Sequence, residues 1–202
     1  MNLIIDMAGV SAGICSDVDR FSHAVLLPVQ THSCNVAEVD SPRPLPDTDA
    51  IITRTPGLRI GVRTADCVPL LLHAPDIRAI AAIHAGWKGS LGDITGNTVR
   101  RLTEAGASPQ LMQAAVGPSI CGVCYEVSAE LADDFRRAGF SGCISGNRHV
   151  DLEAVNRSRL LALGLKAENI RPKPMCTFEK HALPSWRRNA TTSRLLTWIM
   201  LA

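Results

Sequence analysis

Cys67 precedes the continuous apolar run 68–72, and His84 closes a second, 79–83. Runs of this kind suit central strands covered on both faces. A thiol and an imidazole would then meet at strand ends, beside the glycine-rich stretch Gly86-Trp87-Lys88-Gly89-Ser90. His32, in Gln30-Thr31-His32-Ser33, directly follows the apolar run 24–29 and could converge on the same edge. Two imidazoles and a thiolate suit zinc, with a fourth position open for water. The same set would hold a single copper if a methionine stood at an axial position. The same atoms also support nucleophilic catalysis, with Cys67 attacking, His84 as its base and Asp66 or Gln30 orienting. Spacings of 35 and 17 residues match no short zinc pattern, so spacing alone favours a buried thiol and two satisfied histidines. Residue types leave both the ligand and the nucleophile readings open.

Further candidates surround these three. The stretch 86–90 joins an apolar strand to a helix, where free backbone N–H groups and the helix dipole attract anions. Gly86 lets the backbone approach a ligand, Lys88 adds positive charge, and Trp87 can stack on a base. The spacing is not that of a P-loop. Arg187 and Arg188, after a proline-containing loop, could clamp phosphate or carboxylate. Glu126 and Asp66 are candidate acids or bases. Cys121-Gly-Val-Cys124 is a lone Cys-x-x-Cys without a second pair and reads as structural. His23, His73, His149 and His181 read as surface or packing residues.

The elements that must place these groups are short. Strands are expected at 3–5, 24–29, 35–40, 50–53, 58–64, 68–72, 79–83, 111–116 and 195–201, with a Gly/Ser/Asp loop between the first two and a proline-rich loop at 41–49. The alternation over 58–64 suggests a half-buried strand, and 170–177 reads as irregular. Ser90 is expected to cap a helix closed by Gly106, Ser128 one closed by Gly139, and Asp151 one closed by Gly164. Strands come first in succession and helices appear between the later ones. That order predicts α+β, with mixed sheets flanked by helices. No repeat or linker divides the chain, so residues 1–202 are expected to form a single domain.

With 202 residues, 46% hydrophobic and 20% charged, the chain can bury a sizeable core. Its formal net charge of +2 gives no reason to expect nucleic acid or an anionic membrane as partner. No apolar run is long enough to span a bilayer, and the first residues do not read as a signal peptide. Seven scattered cysteines suit a reducing cytoplasm better than a disulfide framework.

Five motifs occur in order: Gln30-Thr31-His32-Ser33; Thr64-Ala65-Asp66-Cys67-Val68-Pro69; Ile83-His84-Ala85-Gly86-Trp87-Lys88-Gly89; Gly117-Pro118-Ser119-Ile120 with Cys124-Tyr125-Glu126-Val127; and Cys176-Thr177 with Trp186-Arg187-Arg188. Together they resemble the YfiH-like family, whose members carry the names laccase-domain protein, polyphenol oxidase and purine nucleoside phosphorylase. The resemblance implies a YfiH-like sandwich with a His-Cys-His metal site, usually zinc, on His32, Cys67 and His84. It implies phosphorolysis of adenosine, inosine and S-methyl-5'-thioadenosine to free base and ribose 1-phosphate, with adenosine deamination. Purine nucleoside and phosphate would be the partners. Bacterial relatives are also linked to peptidoglycan precursor editing, which suits a cysteine hydrolase or amidase as the alternative. A mononuclear copper polyphenol oxidase is the other alternative, because six histidines are too few for a multicopper cluster. Phosphate is expected at Gly86, Trp87 and Lys88 with Arg187 or Arg188. Relatives commonly carry arginine where Lys88 stands, so here the bidentate fork is lost while the charge is kept.

Overall fold

The computed structural model describes residues 2–16 and 24–202; the expectation for His23 lies outside them. Its strands are β1 (Asn2–Ile5), β2 (Val10–Cys15), β3 (Val36–Val39), β4 (Ala50–Thr53), β5 (Ile60–Thr64), β6 (Val68–Ala74), β7 (Ala79–Ala85), β8 (Gln113–Val116), β9 (Ile144–Ser145), β10 (His149–Val150), β11 (Ile170–Arg171) and β12 (Leu195–Leu201). The helices are α1 (Trp87–Leu91), α2 (Ile94–Glu104), α3 (Ala129–Arg137), α4 (Leu152–Ala162) and α5 (Trp186–Asn189). A six-stranded sheet runs β11-β8-β6-β7-β4-β3 and a four-stranded sheet runs β1-β2-β12-β5. The first is mixed, because β11 lies parallel to β8 and β3 parallel to β4. This is the expected α+β architecture.

Three layers result. Ile60, Val62, Ile199 and Leu201 of the smaller sheet pack on Ile51, Leu71, Ile80 and Ala82 of the larger one. On the opposite face of the larger sheet, Ile52, Leu70, Leu72 and Ile83 meet Ile94, Val99 and Leu102 of α2, Phe135 of α3, and Val155 and Leu160 of α4. β6 and β7 are therefore buried at every position, which is why the runs 68–72 and 79–83 are continuously apolar. The apolar set of β5 is likewise enclosed, with only Arg63 exposed, so the strand is not the half-buried one its alternation suggested.

Three local expectations are corrected. Residues 24–29 form no strand; Leu26 makes an isolated bridge to Ile60, and Val29 bonds the backbone of Leu45 and Thr48. The stretch read as a Gly/Ser/Asp loop contains β2, whose small residues hide its strand character. A side chain at Gly13 would come within 2.8 Å of the Leu3 carbonyl and 3.1 Å of the Trp198 ring, so glycine is needed for close packing there. Ser90 caps no long helix: α1 ends at once, and Asp93 caps α2 by accepting from the Gly96 amide at 3.1 Å. Ser128 and Asp151 cap α3 and α4 as expected.

Ser90 has a different task. Fully buried Asn156 of α4 donates to Ser90 Oγ and to the Leu152 carbonyl, both at 2.8 Å, and accepts from Thr95 Oγ1 at 2.7 Å. One amide thus ties α1, α2 and α4 together. Replacing it with alanine strands two buried hydroxyls, so Asn156→Ala should lose about 2–4 kcal/mol in urea unfolding. A loss below about 1 kcal/mol would show that water replaces the amide.

Candidate metal centre

The antiparallel register of β6 and β7 pairs Val68 with Ala85 and Pro69 with His84. The start of one strand and the end of the other therefore share an edge, and Cys67 and His84 meet there. His32 arrives from the loop before β3. His32 Nε2 lies 3.8 Å from Cys67 Sγ, and the two imidazole rings stand edge to face at 4.8 Å between centroids. One ligand atom from each of His32, Cys67 and His84 lies within 4.8 Å of the others. This is the convergence that the strand ends suggested.

Asp49, immediately before β4, holds the arrangement. It is fully buried. Its carboxylate accepts the backbone N–H groups of Thr31 (3.1 Å), His32 (3.1 Å) and Ser33 (2.7 Å), the Ser33 hydroxyl (2.8 Å) and His84 Nδ1 (2.7 Å). Its own carbonyl accepts the His84 amide at 2.7 Å, continuing the β4–β7 ladder. The carboxylate holds Nδ1–H of His84 toward itself and turns Nε2 away from it, an arrangement suited to a ligand that gives up its Nε2 proton to a metal. Burial opposes the Asp49 charge, but the His84 and Ser33 hydrogen bonds prevail and bring its pKa to about 2. Burial likewise opposes the His84 cation, yet Asp49 and Cys67 raise it to about 9. For Cys67, burial pushes the thiol up and the His32 and His84 contacts outweigh it, leaving it at about 6.

Backbone geometry sharpens the site. His32 (φ 63°) and Asp66 (φ 86°) both adopt left-handed conformations that cost free energy in non-glycine residues. Asp49 compensates the first through three successive N–H groups. The Asp66 carboxylate is locked by Thr177 Oγ1 (2.6 Å), Ser185 Oγ (3.1 Å) and the Arg187 amide (2.7 Å). A Cβ at Gly86 would fall 2.7 Å from the His32 ring and 3.1 Å from Cys67 Sγ. Gly86 is thus a cradle for the two ligands, and the soft thiolate with two imidazoles fits zinc or copper.

The cluster lies in a cleft of ≈ 810 Å³. Trp87, Tyr125 and Trp186 line it with aromatic surface, and Arg63, Arg187 and Arg194 line it with positive charge. Asp66 also lines the cleft, although its oxygens already have three donors. Other sequence candidates fall elsewhere. Lys88 is exposed, with Nζ 5.5 Å from the Trp87 ring, and does not line the cleft. Arg188 donates to the carbonyls of Thr177, Phe178 and Leu183 and braces a loop. The Glu126 carboxylate pairs with Arg148 outside the cleft, while its carbonyl accepts from Arg187 at 2.5 Å. Arg187 also stacks 4.7 Å over Tyr125. Sequence reasoning missed Asp49, Arg63 and Arg194.

Fold and site together define a sandwich protein with a candidate mononuclear His-Cys-His centre in an aromatic, arginine-lined cleft. The chain belongs to the family described as multi-copper polyphenol oxidoreductase laccase, whose profile matches residues 12–202. It is 38% identical to adenosine deaminase RL5 from an unknown prokaryotic organism, over 78% of this chain and 66% of that protein. It is 42% identical to a purine nucleoside phosphorylase of Deinococcus radiodurans, over 67% of this chain and 54% of that protein. The chain therefore spans just under two thirds of the first relative and about half of the second. In fold it matches Bacillus licheniformis hypothetical protein YfiH (TM-score 0.87, 24% identity, 96% of this chain and 93% of that one). It also matches YlmD from Geobacillus stearothermophilus (TM-score 0.86, 23% identity, 100% and 99%).

Two outcomes test the site. Asp49→Ala leaves a buried imidazole and three amides unpaired, so it should lose about 3–5 kcal/mol of stability and bind zinc roughly 10–100-fold more weakly. Unchanged zinc affinity in calorimetric titration would remove Asp49 from the site. In metal-free protein the thiolate is the reactive form, so iodoacetamide should modify Cys67 with a midpoint near pH 6, not the ordinary 9.0. Zinc should protect it; a midpoint near 9.0 contradicts the imidazole contacts as its cause.

Proposed function

We propose that the chain is a metal-dependent purine nucleoside enzyme. It would cleave adenosine, inosine and S-methyl-5'-thioadenosine by phosphorolysis and deaminate adenosine, with zinc on His32, Cys67 and His84. The observation that carries this reading is one cleft joining the soft donor set to three aromatic side chains and three arginines. The names of the similar proteins, purine nucleoside phosphorylase and adenosine deaminase, support it. The reading takes residues 1–202 as one catalytic unit working in the cytoplasm, without a nucleic acid or membrane partner. Among the described residues no helix is long and apolar enough to cross a membrane.

A metal in this set supplies Lewis-acid polarisation of a substrate atom. The chain's own residues do the rest. Trp87, Tyr125 and Trp186 offer flat apolar surface for a purine. Arg63, Arg187 and Arg194 replace the earlier assignment of phosphate to Lys88 and Arg188, and their forks suit phosphate oxygens. Arg187 is pre-oriented by Tyr125 and the Glu126 carbonyl. His84 keeps its proton on Nδ1 toward Asp49. Asp66, with three donors, positions Cys67 and Arg187 and is not a free base.

A cysteine hydrolase is the second reading. The low Cys67 pKa of about 6, with two imidazoles at hand, favours it in metal-free protein. A mononuclear copper oxidase has less support, since no methionine lines the cleft among the described residues.

Incubation with adenosine, with and without phosphate, tests the reading. Adenine and ribose 1-phosphate should form with phosphate, and inosine without it; Cys67→Ala should abolish both. Arg63→Ala should raise KM for phosphate roughly 10–100-fold and leave deamination within about twofold. Absence of adenine, hypoxanthine and inosine overturns the proposal. Amide hydrolysis by metal-free protein, lost on alkylating Cys67, would establish the second reading.

A further inference from the structure

A second cluster of thiols lies outside the centre just described. Cys121 and Cys124 bracket a single 3-10 turn after β8, with Cys121 in extended conformation before it. Cys176 opens another turn, closed by the Lys180 amide donating to the Cys176 carbonyl at 3.1 Å. An isolated bridge between Ser119 and Cys176 and the bond from the Thr177 amide to the Ser119 carbonyl (3.1 Å) bring the two turns side by side. The three sulfur atoms lie within 4.8 Å of one another. Glu179, three residues after Cys176, reaches Cys124 Sγ with Oε1 at 3.8 Å.

We propose that Cys121, Cys124 and Cys176 form a second metal site that takes zinc, with Glu179 as the fourth ligand. The pair missing from the lone Cys-x-x-Cys is supplied in space: each turn offers ligands at positions i and i+3, Cys121/Cys124 and Cys176/Glu179. Around a tetrahedral zinc with bonds of about 2.3 Å, sulfurs stand about 3.8 Å apart, so the cluster needs only a small contraction. A carboxylate in the set favours zinc over copper(I), which prefers sulfur alone. On binding, each thiol gives its proton to solvent as its sulfur–metal bond forms.

A further contact fits. The Cys121 amide donates to Cys176 Sγ at 3.3 Å, an N–H···S contact that stabilises a thiolate. The ion would work as a staple for one wall of the cleft. Tyr125 follows Cys124, and Thr177, which follows Cys176, holds Asp66.

The test is the zinc content of the full chain, reconstituted under reducing conditions and dialysed, against Cys121→Ser and against His32→Ala/His84→Ala. Cys121→Ser should lose one equivalent relative to the parent, and the double histidine variant should keep that equivalent. The difference between parent and Cys121→Ser reads this site alone, whatever the fate of the first centre. An equal content in parent and Cys121→Ser overturns the proposal. Should Cys121→Ser fail to fold, cadmium titration of the double histidine variant decides. A thiolate-to-metal absorbance band saturating at one equivalent supports the site, and its absence overturns it. A Cys121–Cys176 disulfide that persists in reductant, seen by mass spectrometry, also overturns it.

Discussion

A single buried carboxylate governs the centre. Removing Asp49 from water costs several kcal/mol unless every lone pair finds a donor. Here three consecutive amides, a hydroxyl and an imidazole meet that demand. The same bonds pin a loop onto a sheet. They impose the left-handed turn at His32, select the His84 tautomer and hold two ligands in register with the third. Strand pairing alone would leave His32 adrift, because it belongs to neither β6 nor β7.

Asp66 repeats the device on the other side of Cys67. Like His32 it occupies a left-handed conformation, and like Asp49 it gathers donors from distant segments, at Thr177, Ser185 and Arg187. The cleft is therefore framed by two buried acids that organise backbone. Together they hold the three candidate ligands and Arg187 in fixed positions, which is what preorganisation requires. Of the cations that reach the cleft, Arg187 of α5 is held by this framework, while Arg63 is placed by β5 and Arg194 stands just before β12.

Much of this was legible in the chain. The apolar runs 68–72 and 79–83 announced strands buried on both faces, and their ends announced Cys67 and His84. His32, directly after the apolar run 24–29, completed the candidate set, and the resemblance implied the same three residues. Asp49 was hidden in a proline- and aspartate-rich loop, although an acid directly before a wholly buried strand demands a partner, and the β4–β7 register names it. Lys88 stood out because it lies between Trp87 and Gly89, and Arg188 because it pairs with Arg187 after a proline-containing loop, but sequence neighbours on a short helix point in different directions. Arg63 and Arg194 became visible only with the sheet order, which sequence did not reveal. β2 escaped because close backbone packing against Trp198 selects small residues over β-branched ones.

The place of β12 has a temporal consequence. It lies between β2 and β5 and pairs with both, Leu196 opposite Cys15 and Leu195 opposite Thr64. The four-stranded sheet is thus split in two until residues 195–201 have left the ribosome. Every earlier strand of that layer waits with an open edge, and closing it means joining segments far apart in the chain, a slow step in folding. Trp186, Arg187 and Arg194 come from this same late stretch. During synthesis the chain can hold His32, Cys67 and His84 well before it owns a complete cleft, so its candidate ligands exist before its remaining walls do.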